Sequence, residues 1–304
     1  MGGSGGGGFH SGRSASELRS EVERSLRDTQ LESEVNVLLN EQLGWVNGRD
    51  TDLINRRLDE ITEALGERLA ELDRLLFGGS VSKHTYVDGL SDVDSLVVVK
   101  PEALDADTPE SLRKAIDGAL REHLDMGQVE SIDTEFAVTV RYKDGTEIQL
   151  LPAVERQGGL SISDKSGAGW SFIRPRAFQE RLTAVNSSQD GRVVPTIKLA
   201  KAVVDGLPKR DRPGGYHMEA LAVDAFDGYT GPRNSRAMVR HFFESAADRV
   251  QRPIADVTGQ SERIDEAYGP ARSPDRQRLS AALGQIAARM KSASSVEQWR
   301  ELFE

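Results

Sequence analysis

Apolar residues recur at helical spacing through the first quarter of the chain. Leu31, Val35, Leu38, Leu39 and Leu43 form one such stripe. Leu53, Ile54, Leu58, Ile61, Leu65, Leu69, Leu72 and Leu76 form a second, opposite a polar face of Arg56, Arg57, Asp59, Glu60, Glu63 and Glu67. These patterns predict helix through 14–75, interrupted by a turn at Asn47-Gly48, with Asp50 or Thr51 capping the second helix. The pattern then changes. Leu96-Val97-Val98-Val99 is a β-branched run typical of a buried strand. Thr108 and Pro109 read as the N-cap and first residue of a helix to Leu124, with Leu112, Ile116, Leu120 and Leu124 on one face. Phe136 to Tyr142 alternates as a strand, Lys143-Asp144-Gly145 is a hairpin turn, and Glu147 to Leu151 returns, ending at Pro152. From Pro175 onward helices are predicted at 176–186, 193–205, 216–228, 234–250 and 275–292, punctuated by Gly and Pro.

The expected fold class is therefore α+β: N-terminal helices, a small mixed sheet and a C-terminal helical lobe. The expected organisation is a flexible Gly-rich tail at 1–13, N-terminal helices plus catalytic core at 14–175, and a helical lobe at 176–304 closing a cleft.

Composition narrows the function. The chain has 304 residues and no cysteine, which excludes disulfides and Cys-ligated zinc and suits a reducing cytoplasm. The five histidines, His10, His84, His123, His217 and His241, are scattered without zinc-ligand spacing. A net charge of −10 opposes general polyanion binding, and no clear basic nucleic-acid-binding surface is expected. The run Lys209-Arg210-Asp211-Arg212 reads as a solvated loop. No apolar stretch is long enough for membrane insertion.

The chemistry concentrates between Phe77 and Asp94. Asp92 and Asp94 stand two apart at the mouth of the apolar strand, an arrangement that aims both carboxylates at one point. Their repulsion is relieved by a hard cation, and Mg²⁺ takes one or two carboxylates together with substrate phosphates. Gly79-Ser80 precedes an expected helix at 80–86, whose free N–H groups would cradle phosphates, with the Ser80 hydroxyl and Lys83 ammonium adding to the cradle. A lone Gly-Ser is usually a turn and a lone Asp-x-Asp usually a loop. The pair, a dozen residues apart and followed by Leu-Val-Val-Val, is poorly explained by either.

This stretch resembles the DNA polymerase beta-like nucleotidyltransferase signature. More narrowly, the spacing Ser80-x-x-Lys83-x-Thr85 and Gly89-x-Ser91-Asp92-Val93-Asp94 resembles the bacterial CD-NTases, the oligonucleotide cyclases of CBASS anti-phage defence. The resemblance extends through Ile148-Gln149-Leu150-Leu151-Pro152-Ala153 and Pro195-Thr-Ile-Lys198-Leu-Ala-Lys201. It implies a polymerase beta-like mixed sheet, Mg²⁺ (with Mn²⁺ as a substitute), NTP substrates, a cyclic oligonucleotide product and a separate effector protein that responds to it. Gly79, Ser80, Lys83, Thr85 and Ser91 become nucleotide-binding candidates. So do Lys198 or Lys201, since a lysine here helps hold the triphosphate in the family. Each competes with a plain solvated helix face. Tyr216 could stack on a base, although a core tyrosine is the commoner outcome.

One departure stands out. The family places its third metal-binding acid where this sequence has Gln149, aligned by Pro152-Ala153. An amide can ligate weakly but supplies no charge. Glu147 lies two residues earlier on the same strand face and is the expected third carboxylate beside Asp92 and Asp94. A linear oligonucleotide product and a catalytically silent nucleotide-binding or toxin-partner protein are the alternative readings.

Overall fold

Strand β5 (Glu147–Arg156) organises the sheet, because both of its edges are used. On one edge it pairs in parallel with β2 (Val93–Val99), in the register Asp94↔Gln149 through Val99↔Val154. On the other it pairs first with β4 (Val138–Tyr142) and then with β6 (Gly159–Ser163), both antiparallel. β1 (Leu72–Phe77), β3 (Val129–Thr134) and β7 (Trp170–Ile173) complete a seven-stranded mixed sheet. The computed structural model describes residues 15–48, 51–66, 72–77, 93–99, 108–135, 137–164, 169–259 and 261–304, and the Gly-rich tail and the expected helix at 80–86 lie outside them.

Helices α1 (Ala15–Val46) and α2 (Thr51–Gly66) bracket the expected turn at Asn47-Gly48. They belong to different cores. Val35, Leu38 and Leu39 of α1 join the helical lobe. Ile54, Leu58, Ile61 and Leu65 of α2 cover the sheet together with Ile116 and Leu120 of α3 (Pro109–His123), packing on Val97, Val138, Val140, Ile148 and Leu150. Each fully buried aliphatic side chain there is worth roughly 1.5–3 kcal/mol. The α3 start follows the sequence expectation: the Thr108 hydroxyl accepts the Ser111 N–H at 3.2 Å and Pro109 opens the helix. The hairpin turn does as well. Gly145 adopts φ +88°, favouring glycine, and Asp144 accepts the Thr146 N–H at 2.9 Å. Arg57 ties α2 to this hairpin through Asp144 at 2.8 Å, with its guanidinium 4.2 Å from the Tyr142 ring centre.

Three sequence expectations are corrected. Leu72 to Phe77 is a strand, not the end of the second helix, because its backbone pairs with β2 from Phe77↔Ser95 to Leu72↔Val99. Leu72 and Leu76 fit a helical period, and the unpaired edge of β2 decided otherwise. β5 does not stop at Pro152 but continues to Arg156. Pro152 falls where the far edge of β5 passes from β4 to β6, with neither paired to it, so a missing N–H is tolerated there. β3, β6 and β7 lack a strong sequence signal and were not expected.

The helical lobe comprises α4 (Pro175–Ser188), α5 (Val193–Asp205), α6 (Gly215–Phe226), α7 (Ser235–Arg249), α8 (Pro274–Ser292) and the short α9 (Val296–Arg300). α5 through α8 match the predicted helices within a residue or two, and α9 adds the fully buried Trp299 to the core.

Candidate active site

Asp94 is the second residue of β2 and lies in register with Gln149 of β5, which is in turn paired with Thr139 of β4. Positions 94, 149 and 139 thus make a row across three strands on one sheet face. Along β5, half-exposed Glu147 and Gln149 alternate with buried Ile148 and Leu150. The row therefore sits on the face opposite α2 and α3, which leaves room for a substrate. Gly79, Ser80, Lys83, Thr85, Ser91 and Asp92 lie outside the described residues, as does the Asp94 side chain.

Glu147 is in register with Arg141, two pairs beyond that row and on the same face. Arg141 Nε donates to Glu147 Oε2 at 2.8 Å and Nη2 to Oε1 at 3.4 Å, while Nη1 reaches Asp133. Gln149 Nε2 adds a long contact to Glu147 Oε1 at 3.5 Å. The Glu147 charge is thus already balanced by a guanidinium. The side chains of the pair are 42% and 27% exposed, so water screens their attraction and the pair can exchange partners cheaply. Among the described residues no three His, Cys, Asp or Glu side chains gather into a metal cluster. The donors in this corner still fit Mg²⁺. A carboxylate position beside an amide, with phosphate and water filling the remaining sites, suits an ion that is seldom caged by protein alone.

On the helical side, Lys201 is neither solvated nor projecting freely. It is 6% exposed, and its ammonium pairs with Glu219 Oε1 at 2.9 Å beneath the start of α6, where a Cβ on Gly215 would meet Nζ at 3.6 Å. Half-buried Lys198 donates to Asn47 Oδ1 at 2.5 Å, joining α5 to the α1–α2 turn. Tyr216 has its ring edge-on to Phe178, with centroids 4.8 Å apart, and its hydroxyl donates to Asp256 Oδ1 at 3.1 Å. Burial and then the Asp256 charge push its pKa upward, so the phenol stays protonated.

Tyr216 also lines a cavity of about 590 Å³ between the sheet and the helical lobe. Ser163, Asp164 and Ser171 come from the β6–β7 side, and Asp256, Ser261, Arg263, Ile264, Glu266 and Ala267 from the loop that joins α7 to α8. β6 runs antiparallel to β5 in the register Ala153↔Ile162, so its end at Ser163 returns towards Gln149. Three residues of strand, about 10 Å, separate these positions. No sequence signal singled out the wall-forming loop. The cluster Asp256, Thr258, Gly259 and Ser261 has turn-forming chemistry that marks a shaped loop but no ligand.

That loop is fixed by a buried clamp. Fully buried Arg276 of α8 donates to Val250 O, Gly269 O, Asp265 O and Asp265 Oδ2, at 3.0, 3.0, 3.1 and 2.6 Å, and so holds both ends of the segment. His217 stacks on Tyr268 beside this clamp, 5.3 Å between ring centroids, and neither ring nitrogen has a hydrogen-bond partner. Burial lowers the His217 pKa to about 4, despite the opposing pull of Asp265 at 3.4 Å. Burial prevails because Arg276 already neutralises that carboxylate. The folded pKa lies below the unfolded value of about 6.5. As pH falls from 6.5 to 4 the unfolded chain therefore takes up a proton that the native state refuses, costing about 3 kcal/mol when complete. Thermal unfolding followed across this window should show a steep loss of stability in the wild type and a shallower one in His217→Leu. Equal slopes would remove His217 as the cause.

Residues 37–186, about half of the chain, match the Second Messenger Oligonucleotide or Dinucleotide Synthetase (SMODS) domain. No curated protein matches the chain by sequence. Solved structures share the fold at low identity. CdnC of E. coli MS115-1, solved with ATP, aligns with TM-score 0.67 and 13% identity over 87% of this chain and 96% of its own. Bradyrhizobium diazoefficiens CdnG, a CD-NTase in complex with GTP, gives 0.62 and 13% over 90% and 95%. The Vibrio cholerae cyclic AMP-GMP synthase DncV, in complex with the linear intermediate 5' pppA(3',5')pG, gives 0.63 and 11% over 96% and 89%. With a synthetase domain at 37–186 and the same fold across nearly the whole chain, the protein belongs to the bacterial CD-NTase family of nucleotidyltransferases.

Proposed function

We propose that the protein joins NTPs, in an Mg²⁺-dependent reaction in the cytoplasm, into a cyclic oligonucleotide that signals to a separate effector protein during phage infection. The observation that carries the reaction is the row in which Asp94 stands beside Gln149 on the open sheet face, near a cavity of nucleotide size. The relatives with ATP, with GTP and with a linear dinucleotide intermediate support the substrate class and a product built in steps.

Asp92 and Asp94 would hold the metal, which would supply charge neutralisation at the phosphates and polarise the attacking hydroxyl. Gly79, Ser80, Lys83, Thr85 and Ser91 cradle the triphosphate, and Lys198 adds positive charge from α5. Lys201 acts from below: its buried pair with Glu219 fixes the start of α6, and with it Tyr216. In this reading a 2′- or 3′-hydroxyl of one nucleotide attacks the α-phosphorus of the next, a P–O bond forms there, and the bond to the leaving pyrophosphate breaks. Positioning and charge stabilisation carry the rate without a covalent protein intermediate.

Gln149 would offer an uncharged amide ligand beside Asp94, and Glu147 would add the remaining negative charge on release from Arg141. Two substitutions test that division. Gln149→Asp places a carboxylate in register with Asp94 and should lower the Mg²⁺ concentration needed for half-maximal rate by about tenfold. Glu147→Gln should raise it, and an unchanged metal dependence in Glu147→Gln would remove Glu147 from the site.

Gln149 also favours a second reading, a nucleotide-binding protein that performs no transfer. Incubation with labelled NTPs and Mg²⁺ or Mn²⁺, followed by phosphatase and nuclease, separates the cases. A cyclic product resists phosphatase, a linear one is degraded, and a silent protein leaves only starting nucleotide.

A further inference from the structure

The cavity between sheet and helical lobe has walls of distinct character. Asp256 is fully engaged: Oδ1 accepts from the Tyr216 hydroxyl, the Thr258 N–H at 2.9 Å and the Thr258 hydroxyl at 2.6 Å, and Oδ2 accepts from Ser261 through its N–H at 3.2 Å and hydroxyl at 3.1 Å. It is the hub that sets the wall and holds the Tyr216 ring in place, not a group that reads a ligand. Besides Asp256, the charged groups on the walls are Asp164, just past the end of β6, and Arg263 and Glu266 on the clamped loop. Arg263 Nη2 also donates to Glu262 Oε1 at 3.4 Å, in an exposed pair that a ligand can displace. Glu266 accepts the Arg263 backbone N–H at 3.4 Å.

An ionised carboxylate only accepts hydrogen bonds, and a guanidinium only donates. A ligand that engages both Asp164 and Arg263 offers a donor-rich edge to the carboxylate and an acceptor edge to the guanidinium. Among the nucleobases, guanine alone has adjacent N–H donors on N1 and N2, and its O6 and N7 acceptors match a guanidinium in two-pronged fashion. Adenine would turn its N1 acceptor towards the carboxylate. Cytosine offers one amino donor beside an acceptor nitrogen, and uracil one N–H between two carbonyls. The ordered Tyr216 ring supplies a flat apolar wall suited to a base.

We propose that this cavity selects the guanine base of a GTP substrate, with Asp164 taking the N1–H and N2–H₂ edge and Arg263 the O6/N7 edge. The proposal rests on the nucleotidyltransferase reading above and names the substrate at that site. In the full-length protein with Mg²⁺, binding of nonhydrolysable GTP, ATP, CTP and UTP analogues is measured by titration calorimetry, and incorporation of the four labelled NTPs is measured in parallel. The wild type should bind the GTP analogue about tenfold or more tightly than the others. In Asp164→Asn and in Arg263→Ala that ratio should fall towards one. Arg263 is exposed, so Arg263→Ala keeps the test decisive even if Asp164→Asn fails to fold. A wild type without preference for GTP, or a preference that survives the substitutions, overturns the assignment. GTP preference without any joined product instead defeats the transfer reaction and leaves the pocket standing. Joined product without GTP preference does the reverse.

Discussion

Replacing Asp92 and Asp94 together by alanine should reduce nucleotide joining by more than about a thousandfold, the loss of several kcal/mol of transition-state stabilisation. The transferred phosphoryl group carries negative charge that side-chain hydrogen bonds alone offset poorly, and in the proposed function these two carboxylates bind the offsetting cations. The fold should survive. Asp94 precedes the buried segment of β2, and that strand is held by Val97, Val98 and Val99, each at most 2% exposed, and by its pairing with β5. Thermal stability of the double variant should therefore match the wild type within about 0.5 kcal/mol, as for changes away from core contacts. Incorporation of labelled NTP is the readout. Turnover near the wild-type level in a folded double variant would reject Asp92 and Asp94 as the metal ligands, and an unfolded variant would reject the claim that the strand stands without them.

Arg276→Ala should be the most damaging single change to stability, at about 3–5 kcal/mol. Arg276 and Asp265 have no side-chain exposure, and their charges are 2.6 Å apart. Burial pushes the Asp265 carboxyl up. The Arg276 hydrogen bond, the Ile254 N–H and the neighbouring His217 outweigh that and hold its pKa below the ordinary value. The stability this carboxylate contributes is therefore present above the ordinary carboxylate pKa and fades as pH drops through the lowered one. Removing the guanidinium strands a buried charge and frees three backbone carbonyls at both ends of the loop. A fall in melting temperature of roughly 10 °C is expected. Adding Asp265→Leu should return part of the loss, because the stranded charge disappears. A single variant within 1 kcal/mol of the wild type would mean that the loop is held by its other contacts.

The segment proposed as catalytic could be singled out in the sequence because its signal is local. Asp92-Val93-Asp94 and the Leu-Val-Val-Val that follows are close in sequence, and β2 (Val93–Val99) carries Asp94 at the start of that apolar run. The helices of the lobe were legible for a similar reason: their periodicity, caps and breakers act within a few residues. The N-terminal helices were legible as helices up to Gly66, whereas their packing partners were not. α1 and α2 are four residues apart, and only packing assigns one to the lobe and the other to the sheet.

By itself, then, the sequence marked the helices of the lobe, the strands β2, β4 and the first half of β5, and the candidate residues Asp92, Asp94 and Gln149. Tertiary structure decided what depends on distant partners. Leu72–Phe77 is a strand because β2 offered an open edge. Lys201 is a buried, paired cation because α6 brings Glu219 against it. Glu147 carries Arg141 because β4 sets that register. The cavity exists because Arg276, on a helix that begins after the loop ends, clamps residues 250 and 265–269 together. Charge pairing and edge pairing are satisfied by whichever group the fold brings near, and a one-dimensional pattern carries no record of that choice.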